Sequence, residues 1–320
     1  MSTDESYGDS EEPPDLTLTN EELEVVSTKI FQCNERGDRQ LVAFLRAPQI
    51  NHDPSRQPIT STLCPKDNNG GGTVFELCPQ VGCVVRCKFC GCGEFRGNLT
   101  PSQVVQQIRI LLKEAEKNGI FLPLPHQIDF SDGGELLLNP RCREIFEAVT
   151  TRIPASVKIS TTLPLPGYPV VEKNLVEILN LIETYRPQVK FQISLSSTNP
   201  ETRQKNSRVP LFPFERIREI GENILKRHSN HRKTTLTFTL LNDSRIIPKE
   251  IVKKLPPDFF VIRLHPYKPN NIDGHVEAMD PQEVKRLDGE FRALGYKTIF
   301  ETPDFWERDR LRQGGTKSLK

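Results

Sequence analysis

The sequence predicts an α/β chain: six strand-then-helix units and a closing strand, behind a short β-hairpin. Three observations carry that expectation. Apolar runs of strand length alternate with helical periodicities from residue 74 to residue 301. Each helix would be the crossover that returns the chain to the next parallel strand. Five of the eight cysteines crowd between Cys78 and Cys92, directly behind the first strand of the alternation. The length of 320 residues suits one α/β barrel of roughly 200–250 residues with extensions, or two domains of roughly 150. Six units fit either a partial barrel or a doubly wound sheet, and periodicity does not choose between them. In both, the active site belongs on the loops that follow the strands.

The elements follow in order. Residues 1–24 are polar, contain Pro13-Pro14 and read as a disordered acidic tail. Two β-rich runs, Val25–Phe31 and Leu41–Leu45, flank Asn34-Glu35-Arg36-Gly37-Asp38 and predict a hairpin. Residues 47–72 carry Pro, Asn, Asp and Gly70-Gly71-Gly72, a loop composition, so 25–72 is a hairpin-and-loop extension. The strands predicted next are Val74–Cys78, Gln127–Phe130, Val157–Thr161, Lys190–Leu195, Thr234–Leu241, Phe259–Leu264 and Lys297–Glu301. Helical patterns lie near 100–117, 140–150, 171–185, 213–228, 247–255 and 280–294. The first has a readable start, with Thr100 as cap, Pro101 in the first turn and Gln103 completing a capping box. Its Val104, Val105, Ile108, Leu111 and Leu112 form one buried face. The main domain thus runs 73–301, and 302–320 is a basic C-terminal tail in which Arg308, Arg310, Arg312 and Lys317 are either a solvated run or a phosphate grip.

Composition narrows the class. At 36% hydrophobic and 27% charged residues the chain is an ordinary globular one, and no run approaches the roughly 18 apolar residues of a membrane span. The first residues lack a basic segment followed by an apolar one, so the expectation is a cytoplasmic protein without membrane contact. The net charge of +1 hides an asymmetry. Residues 1–28 hold nine of the 42 acids and none of the 43 bases, which leaves the rest of the chain with a surplus of ten positive charges. Such a body attracts polyanions, RNA among them.

The clustered cysteines point away from a disulfide framework and towards a metal site in a reducing compartment. Cys83-x3-Cys87-x2-Cys90 puts three thiolates on one tight loop. A 4Fe–4S cube held by three cysteines keeps one iron open for an outside ligand. The alternative is a structural zinc, for which Cys78 or Cys92 would supply the fourth ligand. Phe89 stands immediately before the third cysteine. This loop, at the end of the first strand of a six-unit β/α chain, resembles that of the radical S-adenosylmethionine superfamily.

The resemblance extends to the RlmN/Cfr family, which methylates adenine in ribosomal RNA and tRNA. It rests on Gln80-Val81-Gly82-Cys83 before the cluster loop, Asn98-Leu99 behind it, and Asp132-Gly133-Gly134-Glu135-Leu136-Leu137-Leu138-Asn139 after the second strand. Ile159-Ser160-Thr161, Ile193-Ser194-Leu195, Asn199, Glu201, Arg203, Val209-Pro210, Leu264, Pro266 and Pro269 continue it. The resemblance implies a partial (β/α)6 barrel, a 4Fe–4S cluster on Cys83, Cys87 and Cys90, and S-adenosylmethionine chelated to the open iron. A flavodoxin or ferredoxin would be the electron donor. It implies cofactor contacts from Phe89, Gly133, Gly134, Glu135, Ser160 and Ser194. Glu135 suits the cofactor's ammonium by a charge-assisted hydrogen bond, with an exposed loop acid as the plain alternative. The two glycines would let the backbone approach the ligand, and the two serines are either ligand contacts or turn and cap residues. His265, after the sixth strand, is a candidate acid or base, and Cys78 is the nearest counterpart of an upstream family cysteine that acts in proton transfer.

The chain also departs from the family. The family's methyl transfer uses a cysteine near the C-terminus, and no cysteine lies between Cys142 and Lys320. Cys78 sits two residues closer to the cluster than expected, Lys268 replaces an asparagine, Ser196 replaces a histidine, and only the hairpin stands where the family has an RNA-contacting helical domain. Three functional readings follow: a radical enzyme that modifies RNA or a nucleoside by another route, a radical enzyme acting on a small metabolite or peptide, and a non-enzymatic zinc-binding module.

Overall fold

The computed structural model describes residues 22–32, 39–48, 59–65, 72–124, 126–131, 133–152, 154–165, 169–185, 189–227, 232–267 and 276–300. Cys33, Asp132, Lys268, Pro269, most of the acidic tail and the whole basic tail lie outside them.

The β-branched and aromatic runs become β1 (Glu24–Gln32), β2 (Arg39–Arg46), β3 (Ile59–Pro65) and β4 (Thr73–Glu76). Next come the paired two-residue strands β5 (Gln80–Val81) and β6 (Gly97–Asn98), then α1 (Pro101–Lys117) and β7 (His126–Phe130). They are followed by α2 (Cys142–Thr150), β8 (Ala155–Thr161), α3 (Pro169–Tyr185), β9 (Val189–Leu195), α4 (Pro200–Lys205) and α5 (Phe214–Arg227). The last elements are β10 (Thr234–Leu240), α6 (Pro248–Ile251), β11 (Phe260–Pro266), α7 (Pro281–Ala293) and β12 (Thr298–Phe300). The capping box on α1 forms as predicted: Thr100 Oγ1 accepts from Gln103 N at 3.2 Å, and Gln103 Oε1 accepts from Thr100 N at 2.9 Å.

One sheet of ten strands runs β1-β2-β3-β4-β7-β8-β9-β10-β11-β12. Strands β4 and β7 to β12 are parallel neighbours. Their order never reverses, and reversal is what defines a doubly wound sheet. Crossovers of one hand then all fall on one face, and successive helices α1, α2, α3 and α5 pack against one another there. The sheet is thus that of an open, partial α/β barrel. No helix among the described residues is long and apolar enough to cross a membrane.

Two elements depart from the sequence expectation. β3 falls inside the stretch expected to be loop. Ile59-Thr60-Ser61-Thr62-Leu63 has strand character, but flanking prolines and glycines outweigh it in composition; antiparallel pairing with β2 and β4 decides the matter. The hairpin therefore joins the main sheet through β3. α4 is six residues long, too short to show periodicity, and its signal is the cap: Asn199 Oδ1 accepts from Thr202 N at 2.9 Å. The helical pattern near 247–255 shrinks to Pro248–Ile251.

The two sheet faces differ. Along β8, Ala155, Val157, Ile159 and Thr161 are buried, whereas Ser156, Lys158 and Ser160 between them are half-buried. β11 alternates likewise, with Phe260, Ile262 and Leu264 in the core and Val261, Arg263 and His265 on the other face. The helices cover the apolar face; the polar face lines the inside of the open barrel.

Close packing on the covered face explains Gly221. A Cβ there would stand 2.3 Å from Cζ of the fully buried Phe260. Gly221→Ala gains helix propensity but overpacks a site that has no room. The expected result is a net loss of about 1 kcal/mol, seen as a lower urea midpoint and partly recovered by adding Phe260→Leu. A rise in midpoint would contradict this contact.

Candidate active site

The cysteine loop starts and ends on the β5–β6 ribbon, which ties Gln80 to Asn98 and Val81 to Gly97. Between them Cys83 N donates to the Gly93 carbonyl at 3.3 Å, and Cys90 N to the Cys87 carbonyl at 3.0 Å. Arg86 takes a left-handed conformation (φ 50°), turning the chain between the first two cysteines, and pairs with Glu94 at 3.2 Å. The segment around α4 holds the far side: Lys88 N donates to the Asn206 carbonyl at 3.1 Å, and Arg208 N to the Val85 carbonyl at 3.0 Å.

Cys83, Cys87 and Cys90 act on one another electrostatically. Burial pushes the Cys83 thiol up to about 12, helped by the charges of Cys90 and Glu135. Burial likewise holds Cys87 well above the ordinary thiol range, with Cys90, Cys83 and Glu135 adding to it. Cys90 moves the other way, to about 7, because its Sγ lies 3.2 Å from Cys92 Sγ. None of the described cysteines forms a disulfide. Three thiols whose ionised forms repel one another on one loop suit a cationic group that would compensate them. Among the described residues no three His, Cys, Asp or Glu side chains stand close enough to hold a single ion. A cube spreads its ligands over separate irons and asks for wider spacing.

The turn after β7 packs directly onto this loop. Gly133 (φ +45°) and Gly134 (φ +129°) leave no room for a side chain. A Cβ on Gly133 would meet Cys78 Sγ at 2.0 Å, and one on Gly134 would meet Gln80 Cβ at 2.7 Å. The close approach these glycines make here is to the cysteine segment itself. Glu135 follows, 3% exposed. Its backbone N donates to Gln80 Oε1 at 2.8 Å. Its carboxylate accepts from Thr162 N at 2.9 Å, Thr162 Oγ1 at 3.0 Å and Leu137 N at 3.3 Å. Burial still raises its pKa, since those hydrogen bonds only partly offset it and no described cation does. Glu135 is therefore no exposed loop acid. Arg203 supports Thr162 by donating to its carbonyl at 3.0 Å; burial lowers Arg203 to about 10, against the opposing pull of Cys87.

A cavity of about 180 Å³ opens beneath the loop on the polar sheet face. Phe89, Cys90, Ser160, Ser194 and His265 line it. All five were candidates from sequence. Ser160 Oγ is buried without a hydrogen-bond partner among the described residues. Cys78 is elsewhere: it is 1% exposed and its thiol donates to the Thr60 carbonyl on β3 at 2.9 Å. Lys158, Gln192, Thr237 and Arg263 also line the cavity and were not foreseen. Their signal is the strand period: Lys158, Gln192 and Arg263 each lie two residues before a foreseen residue and so share its face.

Comparison with known proteins agrees with this geometry. Residues 77–255 match the family model described as the radical SAM superfamily. The chain is 25% identical over 293 residues to the dual-specificity RNA methyltransferase RlmN of Marinobacter nauticus, covering 82% of this chain and 73% of that protein. It is 27% identical over 296 residues to the RlmN of a Marinomonas species, covering 83% and 76%. Among solved structures, a radical SAM methyltransferase from Sphaerobacter thermophilus superposes with a TM-score of 0.62 at 21% identity, over 87% of this chain and 76% of that one.

The shifted thiols give a direct test. In cluster-free protein near neutral pH, Cys90 should react with iodoacetamide at least roughly tenfold faster than Cys83, because the thiolate is the nucleophile. Cys90 labelling should slow as pH falls below about 7, whereas Cys83 labelling should stay slow until strongly alkaline pH. Peptide mapping by mass spectrometry reads both rates; equal rates would contradict the Cys90–Cys92 contact.

Proposed function

The chain belongs to the radical S-adenosylmethionine superfamily, and from that premise we propose that it is an enzyme that reductively cleaves S-adenosylmethionine and acts on RNA or a nucleoside without a carrier cysteine. When bound, a 4Fe–4S cluster and S-adenosylmethionine supply a one-electron cleavage of the sulfonium, yielding a 5′-deoxyadenosyl radical able to take hydrogen from a substrate. The observation that carries the reading is the buried Glu135 carboxylate beside Cys83 and Cys87, with its backbone partners fixed and no described cation against it.

Each residue then has a task. Cys83, Cys87 and Cys90 would hold the cluster, and the raised thiols of Cys83 and Cys87 would give up their protons to do so. Glu135, oriented by Thr162 and Leu137, accepts from the cofactor's ammonium and so offsets the cost of its own burial. Ser160 and Ser194 offer hydroxyls to the cofactor's carboxylate or ribose, and the Phe89 ring closes the cavity. Gly133 and Gly134 keep Glu135 close to the cysteines. His265 stands at the mouth as a candidate acid or base, and Cys78, held on Thr60, has at most a proton-transfer task through its neighbours. A small flavodoxin or ferredoxin supplies the electron, in a reducing cytoplasmic setting that keeps the thiols available.

The stretch from residue 143 to residue 320 carries no cysteine. That supports direct hydrogen abstraction from the substrate over transfer through a methylated thiol. A second reading, a small metabolite or peptide substrate, draws support from the polar face of the barrel, whose larger cavity of about 610 Å³ is of small-molecule size.

Anaerobic reconstitution should give brown protein with about four irons and four sulfides per chain, and alanine at Cys83, Cys87 or Cys90 should bleach it. Colourless protein holding one zinc would sink the reading. With dithionite and S-adenosylmethionine the protein should release 5′-deoxyadenosine and methionine. Glu135→Ala should weaken cofactor binding by roughly 1.5–3 kcal/mol, the worth of a hydrogen bond to a charged group; unchanged affinity would remove Glu135 from the site. During turnover, deuterium should pass from substrate to 5′-deoxyadenosine, with no methyl-cysteine peptide and no methylated adenine by mass spectrometry.

A further inference from the structure

The polar sheet face holds a second cavity, of about 610 Å³, at the N-terminal ends of the strands. Lys158, Gln192 and Arg263 line both this cavity and the one beneath the cysteine loop, so the two adjoin. In a closed barrel this region is filled by layers of branched apolar side chains. Here it is charged. Lys158, Lys190, Arg232, Lys233, Arg263 and Lys297 line it, against two acids, Glu76 and Asp129.

Several of those bases are already engaged. Lys158 pairs with Asp129, Lys190 donates to Gln127, Arg263 donates to Gln192 at 3.1 Å, and Lys233 donates to the Pro257 carbonyl at 2.7 Å. Arg232 and Lys297 differ. Neither side chain makes a hydrogen bond or ion pair with a described residue, although the Lys297 backbone carbonyl accepts from Ile262 N at 2.9 Å. Arg232 is half-buried, and desolvation alone lowers its pKa, with no acid to oppose it. A half-buried guanidinium without a counter-charge is costly, and an anionic ligand would remove that cost.

We infer that this second cavity holds the phosphate of a small phosphate-bearing substrate, whose reacting end lies beside Phe89 and Cys90. The inference rests on the proposed function for its reacting end and on the cavity alone for its anion. A planar guanidinium and a nearby ammonium suit a dianion with three acceptor oxygens better than a single carboxylate. The volume is that of a small-molecule pocket, which favours a nucleotide or sugar phosphate over a strand of RNA.

The test uses the full, cluster-free chain, so that it does not depend on turnover. Lysines are acetylated with and without inorganic pyrophosphate and read by peptide mass spectrometry. Pyrophosphate should slow labelling of Lys297 severalfold and leave Lys113, exposed on α1, unchanged. Arg232→Gln should weaken pyrophosphate binding about tenfold, as expected for loss of a charged partner, whereas Lys113→Gln should not. If Arg232→Gln does not fold, protection of Lys297 in the unaltered protein decides. No protection, equal protection of Lys113, or equal protection by potassium chloride at matched ionic strength would overturn the inference. So would protection by an RNA strand without terminal phosphate where pyrophosphate gives none. Protection without S-adenosylmethionine cleavage would support the pocket and sink the proposed function; cleavage without protection would do the reverse.

Discussion

The site depends on how buried polar groups of the cysteine segment and of the turn after β7 find partners, and buried amide side chains supply several of them. Gln107, for one, accepts from Cys78 N at 2.9 Å and donates to the Cys78 carbonyl at 2.8 Å. Gln80, 1% exposed, receives Glu135 N on its oxygen and gives its nitrogen to Asn98 Oδ1 at 2.8 Å. Asn139 donates to the carbonyls of Pro79 and Leu99 at 2.9 and 3.0 Å, clamping both ends of the loop at once. Asn174, on α3, donates to the carbonyls of Leu137 and Asn139 at 3.0 and 2.8 Å. A buried group left without its partner costs about 1–3 kcal/mol, so this relay resists piecemeal change. It fixes where Glu135 stands relative to Cys83 and Cys87, and Gly133 and Gly134 supply the clearance that lets the two segments touch.

The same arrangement explains why a carboxylate can sit there unaided. Glu135 is desolvated by burial, yet donors from Thr162 and Leu137 reach its carboxylate. Arg203 donates to the Thr162 carbonyl and not to the Glu135 carboxylate, so it braces the site without cancelling that carboxylate's charge. A direct ion pair would have been more stabilising in isolation and would have left less for a cationic ligand to do.

The alternation of strand and helix was legible because each unit is long enough to show its period, and the cysteine spacing because three thiols on one loop have few explanations. Ser160, Ser194 and His265 were readable as residues at or after strand ends, and Glu135 through the resemblance; the structure places Ser160, Ser194 and His265 on one cavity. Lys158, Gln192 and Arg263 were not foreseen: the strand period puts them on the face of Ser160, Ser194 and His265, but a polar residue inside a strand looks the same whether that face meets solvent or the interior of an open barrel. β3 was hidden by its neighbours' prolines and glycines. The choice between barrel and doubly wound sheet was out of reach of any local pattern, since strand order is a property of long-range pairing.

That strand order has a consequence for how the chain assembles. Apart from the small β5–β6 ribbon that interrupts the numbering, every strand of the large sheet lies beside its neighbours in the chain. No strand has to wait for a distant segment before it can pair. The ordering entropy is met in steps, each between strands consecutive in the large sheet, and the sheet can lengthen from the N-terminal side in the direction of synthesis. The cysteine loop, following β4 and bracketed by its own ribbon, lies early in that sequence. The thiols would be gathered before the last strands arrive to complete the barrel around them.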